Sequence, residues 1–566
     1  MEAANNNASQ NRVENGEAGR RRIRNPLILT TGAGARGMND NIDWHTSIAL
    51  GFQHFLVMLG TTALIPSILV PILGGGHEEK ATLIQTILLV SGISTLLQSW
   101  FGSRLPVVMG GSYAFIIPAI SASVRFRTEE PHLRFIYSMR AIQGALLLAS
   151  LFHVLVGVFI MPTFGRLLSP LTTIPVVMLV GLGMFVYGFP QLGTCAVVGL
   201  PTLATLFFIA QCLPYLVSRS REEQCNRFSF LRYLRANPNE IQRFALLFLV
   251  PFVWPFAVIM STAYGHTHSS CRVHLSGLFS GAHGFWIPNL FQWGSPTLDI
   301  RDVVPMVVAV LISAIESTGT FLVASRYGLA TPPPPFVLRR GVIWQGIGTL
   351  LAGVFGTGIG FTASVENAGL LGLTRQGSKR AVQIAAAFMI GFSILGKFAA
   401  FVASLSLPIV GAVYCLLYPY VVSGGMSFIR FCNPNSYRVN FILGFPVFLG
   451  IFVASYSHES LLISVVGSSW WSNTVQLICS SPALGAAAAI IMDIVVDKGD
   501  LAQFRESGRI WWAQFRDIED DTTSFYSLPE KIILMAILCL TQRRVLQFHQ
   551  WRTIVFITTP PLLIMS

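Results

Sequence analysis

An all-α polytopic membrane protein built from inverted repeats is the architecture this chain's residue pattern dictates. Three features carry that reading. Hydrophobic residues make up 52% of the 566 positions and charged ones 11%, whereas soluble domains carry roughly 25% charged residues. Apolar runs of about 17–25 residues, the length that crosses a hydrocarbon core as a helix, recur from residue 45 to residue 495. Two short, glycine-broken segments stand at matching places in the two halves. A large soluble protein would need a polar surface, and the runs 82–101, 141–162, 304–325 and 381–403 do not offer one.

The ends and connections come next. Residues 1–44 form an Asn-, Gly- and Arg-rich N-terminal segment, without apolar periodicity over 1–40, and are expected to be disordered; no cleavable signal peptide is expected there. Arg20, Arg21, Arg22 and Arg24 precede the first span and predict a cytoplasmic N-terminus. Segments 218–244, 326–341, 375–380 and 430–438 are basic and are expected inside. Segment 264–300 is poor in basic residues and is expected outside, and 457–473 has neither Lys nor Arg. One stretch conflicts with this scheme: 123–140 puts Arg125, Arg127, Arg134 and Arg140 on what the count makes the outer face. The net charge of +12 is explained by these inter-span clusters, so it does not point to nucleic acid. Eight cysteines are scattered without a CxxC pair or a metal-like spacing. Cys195, Cys212 and Cys415 read as small core residues.

The two broken segments are MGGSYAFIIPAI (109–120), the third span by count, and SVENAGLLGLTR (364–375), the tenth. The second is preceded by FGTGIGFTAS. Irregular backbone survives inside a bilayer only where it lines a cavity or is buried in protein. Paired short, interrupted segments in two halves mark the binding site of a transporter made of inverted repeats, and an offset of seven spans fits that scheme. GTGIG lacks the Lys-Ser/Thr and the strand-to-helix context of a phosphate loop. Gly356, Gly358 and Gly360 are better explained by close helix approach or local unwinding. The four prolines at 332–335 predict a stiff connector.

An ionisable side chain within a span costs at least about 2.5 kcal/mol, so the few present are functional candidates. Glu316 lies in VVAVLISAIESTGTFLVAS, where Ser313, Glu316, Ser317 and Thr320 share one helical face. A purely structural carboxylate tied to neighbouring hydroxyls is the alternative, and a neutral Gln would serve that purpose at lower cost. Gln53 and His54 interrupt the first span, where a structural link between helices is as good an explanation as a site. Tyr113 and Phe115 lie in the broken third span and alone suggest only packing or interface anchoring. Lys397 and His153 read as structural.

SVENAGLLGLTR resembles the signature of the nucleobase–ascorbate transporters: Gln, Glu or Pro, then Asn-x-Gly, four residues, Thr and a basic residue. Glu366, Asn367, Gly369, Thr374 and Arg375 meet it. GFQHFLVMLGTTALIP resembles that family's first helix with its Gln-His pair, and IESTGTFLVASRYG its eighth helix with an essential Glu. GSKRAVQIAAAFMIGFSILGKF and FYSLP (525–529) resemble its plant branch, the xanthine/uracil permease relatives of plants. The resemblance covers roughly residues 45–529. It implies 14 transmembrane segments as two inverted sevens. A core domain would take 45–170 (spans 1–4) and 301–403 (spans 8–11), and a gate domain 171–300 (spans 5–7) and 404–497 (spans 12–14). Residues 498–566 would form a cytoplasmic tail. The strand-like breaks of spans 3 and 10 would meet at mid-membrane, where the ligand binds.

Carried over residue by residue, Glu316 and Glu366 would hydrogen-bond a base edge and Val365 would contribute backbone. Tyr113 would stack on the ring where a Phe is usual. His54 and Asn367 would support the geometry, with Gln53, Thr320, Gly369, Thr374 and Arg375 around them. Thr320 stands where well-known microbial relatives carry Asp or His, which argues against a coupling role there. Carboxylates and amides match the alternating donors and acceptors of a nucleobase edge, and Thr374-Arg375 would close the half-helix.

The expected function is proton-coupled uptake of a purine or pyrimidine base (adenine, guanine, uracil or xanthine), with no resident cofactor. Sodium-coupled ascorbate transport is the alternative within the family, although branch members taking ascorbate carry Pro where this chain has Glu366. A non-transporting receptor or structural homologue is the second alternative. No nucleophile–base pair or metal cluster suggests an enzyme. The expected partners are the small-molecule substrate, the bilayer and a second copy in a homodimer, the expected location the plasma membrane with both termini cytoplasmic. Residues 530–566, whose apolar run is too short to span, are expected to be dispensable.

Overall fold

The computed structural model describes residue 38 and residues 42–219, 238–264, 284–403, 407–464, 470–480, 483–495, 506–509 and 526. The expectations for the N-terminal arginines, for most of 218–244 and 264–300, and for the tail from 530 fall outside those residues. The chain divides into two units, 1–525 and 526–566. Only Tyr526 is described in the second, and the account below concerns the first.

Helix α1 (Trp44–Leu73) carries Pro66 and Pro71 and stops at Gly74, whose φ of 93° lies in the left-handed region. Helix α2 (His77–Trp100) opens with Glu78 and Glu79, and the Glu79 carboxylate accepts from the Gly76 amide at 2.8 Å. The third segment is strand β1 (Met109–Gly111), a 3-10 turn (Tyr113–Phe115) and helix α3 (Ile116–Ser123). Helix α4 (Pro131–Leu155) follows, continued through a π-turn to Leu167. Helix α5 (Pro170–Leu182) runs into a 3-10 turn ending at Tyr187. Helix α6 (Ala196–Phe207) is prolonged to Arg219, and α7 (Ala245–Tyr264) ends the first half.

The second half repeats the order. It has α8 (Ile300–Tyr327), α9 (Pro335–Phe355), then strand β2 (Phe361–Ala363) with α10 (Val365–Thr374). Next are α11 (Lys379–Ser393), α12 (Leu407–Met426), α13 (Tyr437–Ser464), and α14 (Trp470–Ser480) with α15 (Ala483–Val495) as one bent segment. Pro335 opens α9 at its first turn, where a missing amide costs nothing.

Among the described residues these make fourteen segments, with the strand-bearing ones third and tenth. Seven are helices individually long and apolar enough to cross a membrane. The others are short, broken or more polar. Seven is odd, so each segment runs opposite to its counterpart. The strands express the same relation directly: β1 and β2 pair antiparallel, with Met109 opposite Ala363, Gly110 opposite Thr362 and Gly111 opposite Phe361.

A ribbon of two three-residue strands leaves two open edges, which cannot stay unsatisfied at membrane depth. Side chains of the flanking helices fill them. Thr95 of α2 accepts from the Met109 amide at 2.9 Å. Gln345 of α9 donates to the Phe361 carbonyl at 3.0 Å. Ser317 of α8 accepts from the Ala363 amide at 3.0 Å, and Thr320 donates to the Ala363 carbonyl at 3.3 Å. The polar stripe on α8 thus stitches that helix to β2.

Helices α1–α4 pack mainly against α8–α11, and α5 packs against α12, α13 and α15. A phenylalanine cluster (Phe55, Phe388, Phe392, Phe398) fastens α1 to α11 and the short helix after it. Leu370 and Leu373 of α10 pack with Leu206 of α6 and Leu417 of α12. The outer surface is apolar: Phe159 is 70% exposed and Phe448 66%, as suits contact with lipid.

Two expectations need correction. The run 381–403 is not one helix; it breaks at Ile394–Leu395, where Trp286 donates to the Ile394 carbonyl at 3.0 Å and Phe285 bridges Leu395. Hydropathy cannot register such a strand-like contact from a distant connection. Cys195 is not a plain core thiol but is disulfide-bonded. Among the other described cysteines, Cys212, Cys415, Cys432 and Cys479 are free. The arginines of 123–140 are engaged locally. Arg125 pairs with Asp299 and Asp302. Arg134 donates to the Ile72 and Leu73 carbonyls at 3.0 and 3.1 Å, where a cation suits a helix C-terminus. Arg140 donates to the Trp293 carbonyl at 2.8 Å. Charges bound up in this way are a poor guide to orientation.

Candidate functional site

The site grows from the two ends of the strand ribbon. Beyond β2, Ser364 is the N-cap of α10. Its own amide donates to the Val108 carbonyl at 2.9 Å, which anchors the cap beside the start of β1. Its Oγ accepts from the Asn367 amide at 3.2 Å and from Asn367 Nδ2 at 3.0 Å, and donates to Glu366 Oε2 at 2.7 Å. The other Glu366 oxygen accepts from Thr61 Oγ1 of α1 at 3.3 Å. Thr61 is in turn 2.7 Å from the Tyr414 hydroxyl of α12. Glu366 is 3% exposed and its carboxylate also takes its own amide, while the first turn of α10 offers the Val365 amide no intrahelical acceptor.

His54 Nδ1 lies 2.9 Å from Asn367 Oδ1. With Asn367 Nδ2 committed to Ser364, Oδ1 is the acceptor, so His54 carries its proton on Nδ1. Asn367 is therefore held from both sides, by α1 and by its own cap.

Beyond β1, Ser112 has the matching position. Its amide donates to the Gly360 carbonyl at 3.0 Å, and its Oγ accepts from the Ala114 amide at 3.3 Å. The same hydroxyl donates to Glu316 Oε2 at 3.3 Å. Glu316, 7% exposed, is thereby brought to the ribbon's other end. Tyr113 follows at once and is 6% exposed, with its hydroxyl facing Thr61, Glu366 and Tyr414. Its ring lies against that of Tyr187, with centroids 3.8 Å apart and planes 19° apart. The Tyr418 hydroxyl of α12 is buried and unpartnered.

Close approach makes this geometry possible. A Cβ on Gly360 would sit 2.5 Å from the Phe115 ring, and one on Gly369 would sit 2.4 Å from the Leu417 carbonyl oxygen. Gly369 thus lets α10 lie directly against α12. At the other end of α10 the Thr374 hydroxyl donates to the Leu370 carbonyl at 2.9 Å. Arg375 caps the helix in the left-handed region at φ 53°.

Of the residues singled out in the sequence, Glu316, Glu366, Val365, Tyr113, Asn367 and His54 converge here. Thr320 bonds backbone, to Glu316 and Ala363, and so braces the ribbon. Thr374 and Arg375 stand at the opposite end of a ten-residue helix, about 15 Å away. Both amide atoms of Gln53 are buried without a partner, so it does not join this network. Sequence reasoning missed Ser112, Ser364, Thr61, Tyr187 and Tyr414. For the two serines a signal existed, since each precedes a short helix directly after a glycine- or threonine-bearing break. No group of three His, Cys, Asp or Glu side chains among the described residues could hold a metal ion.

Fourteen segments, seven of them long apolar helices, around a buried, broken-helix site with two carboxylates define a multi-pass membrane protein with a small-molecule site. Comparison with known proteins agrees. Residues 45–459 match the model described as Permease family. Nucleobase-ascorbate transporter 4 of Arabidopsis thaliana is 48% identical over 505 residues, covering 86% of this chain and 93% of that protein. Nucleobase-ascorbate transporter 7 of the same plant is 44% identical, covering 86% and 90%. The chain belongs to this permease family, in its plant nucleobase–ascorbate transporter branch, and is a membrane transporter and not an enzyme. Among solved structures, the transmembrane domain of a cyanobacterium bicarbonate transporter aligns with TM-score 0.39 at 15% identity, covering 78% of this chain and 98% of that one. A structure of SLC26A9 aligns with TM-score 0.43 at 10% identity, covering 81% and 66%.

Proposed function

We propose that the protein takes up a neutral purine or pyrimidine base together with a proton. The observation that carries this reading is the pair of buried carboxylates, Glu316 and Glu366, each held by a serine at one end of the β1–β2 ribbon beside the buried Tyr113 ring. Carboxylate oxygens accept N–H donors from a planar base edge, the Val365 amide donates to one of its acceptors, and an aromatic face takes the ring. The relatives' names include both nucleobase and ascorbate. Ascorbate is an anion at neutral pH, and two carboxylates at one site disfavour it. Protonation of Glu316 on loading would remove one of the two carboxylate charges from the occupied site before it crosses the membrane.

In this reading α1–α4 and α8–α11 form a core that carries the site, moving against a gate of the remaining segments. Two gates pair in a homodimer, and the protein sits in the plasma membrane with both termini cytoplasmic. The test is uptake of radiolabelled adenine, uracil, xanthine and ascorbate in a host lacking its own transporters. Saturable accumulation of at least one base, abolished by a protonophore, is expected. Accumulation of ascorbate alone, driven by sodium, would establish the alternative, and no accumulation of any solute would leave a receptor.

A further inference from the structure

We infer that Tyr187 is the second wall of the ligand site, and that a planar ring binds between Tyr187 and Tyr113; this rests on the nucleobase reading above. The two tyrosines stack in full contact, 3.8 Å between centroids, so the site as it stands is closed by its own side chains. One ring is fixed and the other is free to yield. Tyr113 is 6% exposed and follows directly on β1, whose ladder to β2 locks the backbone. Tyr187 is half-buried and ends the 3-10 turn Gly183–Tyr187, just before Gly188 at φ −96° and ψ −94°. A short 3-10 piece at a helix end is a natural place for a hinge.

The neighbours of this stack are unfinished in the way an empty ligand site is. The Tyr418 hydroxyl is buried without a partner, which is costly, and the Tyr113 hydroxyl faces Thr61 and Glu366. Tyr187 and Tyr418 both lie within electrostatic reach of Glu316 and Glu366. A base inserted between the rings would part them to about 7 Å, stack on both faces, and bring its polar edge to the carboxylates and the two hydroxyls. Tyr113 and Tyr187 belong to segments 3 and 5, so parting the rings also separates those segments. Ligand entry and opening of the site are then one event, and Tyr187 contributes to choosing ligands by stacked area.

The experiment compares Tyr187→Phe, Tyr187→Leu and wild type for uptake of adenine and uracil at matched surface level. Tyr187→Phe keeps the ring and is expected to hold KM within about twofold. Tyr187→Leu is expected to raise KM for adenine about tenfold, and for uracil by less, because a bicyclic ring loses more stacked area. Should the Leu variant not reach the membrane, Tyr187→Trp carries the same test, with KM for adenine falling relative to that for uracil. An unchanged adenine-to-uracil KM ratio in a variant at the surface, beside a wild type that transports both bases, overturns this inference alone. A wild type that transports no base overturns the nucleobase reading and this inference with it.

Discussion

Ser112 and Ser364 are counterparts across the two halves. Each follows a three-residue strand, each accepts from a backbone amide of the helical turn that follows, and each donates to a carboxylate, Glu316 in one case and Glu366 in the other. The repeat therefore supplies two acid-holding hydroxyls from one design. The halves differ in where the acid comes from: Glu366 is two residues from its serine, while Glu316 arrives on a helix 204 residues away.

That difference predicts unequal costs for the two serines. Ser364→Ala removes a helix cap, worth about 1 kcal/mol, together with the hydroxyl at Glu366. Ser112→Ala removes the hydroxyl at Glu316 and caps only a single 3-10 turn. Both are expected to lower kcat/KM about tenfold, with Ser364→Ala also melting earlier in a thermal-shift assay. Equal melting temperatures for the two variants would refute the capping half of the account.

In the proposed mechanism Glu316 carries the coupling proton. Wild-type uptake should rise as the outside pH falls, because protonated Glu316 is the loading form. Glu316→Gln is expected to reach the surface at near-normal level and to lose concentrative uptake. Accumulation by that mutant with the wild-type pH profile would remove Glu316 from coupling.

Gly369 is where α10 touches the α12 backbone. Gly369→Val places atoms against the Leu417 carbonyl, which no rotamer change relieves, and is expected to cost roughly 1–3 kcal/mol. It should also abolish transport, because α10 would be held away from α12. Normal uptake and stability would mean that the two helices part easily at this point.

The elements most legible in the sequence were those written as local exceptions. Gly110-Gly111 and the GTGIG run broke the apolar pattern visibly, and Glu316 and Glu366 stood out because charge is so scarce around them. What stayed hidden depends on partners remote in the chain. The α8 stripe was visible, but not that Ser317 and Thr320 complete the edge of β2, since the two strands are separated by some 250 residues of intervening chain and neither resembles a strand alone. Thr61 looked like one small residue of an apolar helix, yet it meets Glu366 from 305 residues away. The arginines of 123–140 carried a charge that could be counted, but the helix end that Arg134 caps and the aspartates that Arg125 meets could not be.

The central claim, that Glu366 reads the edge of a base, is tested most directly by the inhibition profile of Glu366→Gln. This change keeps the shape and replaces one acceptor with a donor, and a mismatched buried pair costs on the order of 1–3 kcal/mol. Uptake by wild type and Glu366→Gln would be measured against a panel of unlabelled purines and pyrimidines. The rank order of inhibitors is expected to change, with some transport surviving. A preserved rank order with uniform weakening would contradict the claim and leave Glu366 as a support of the fold.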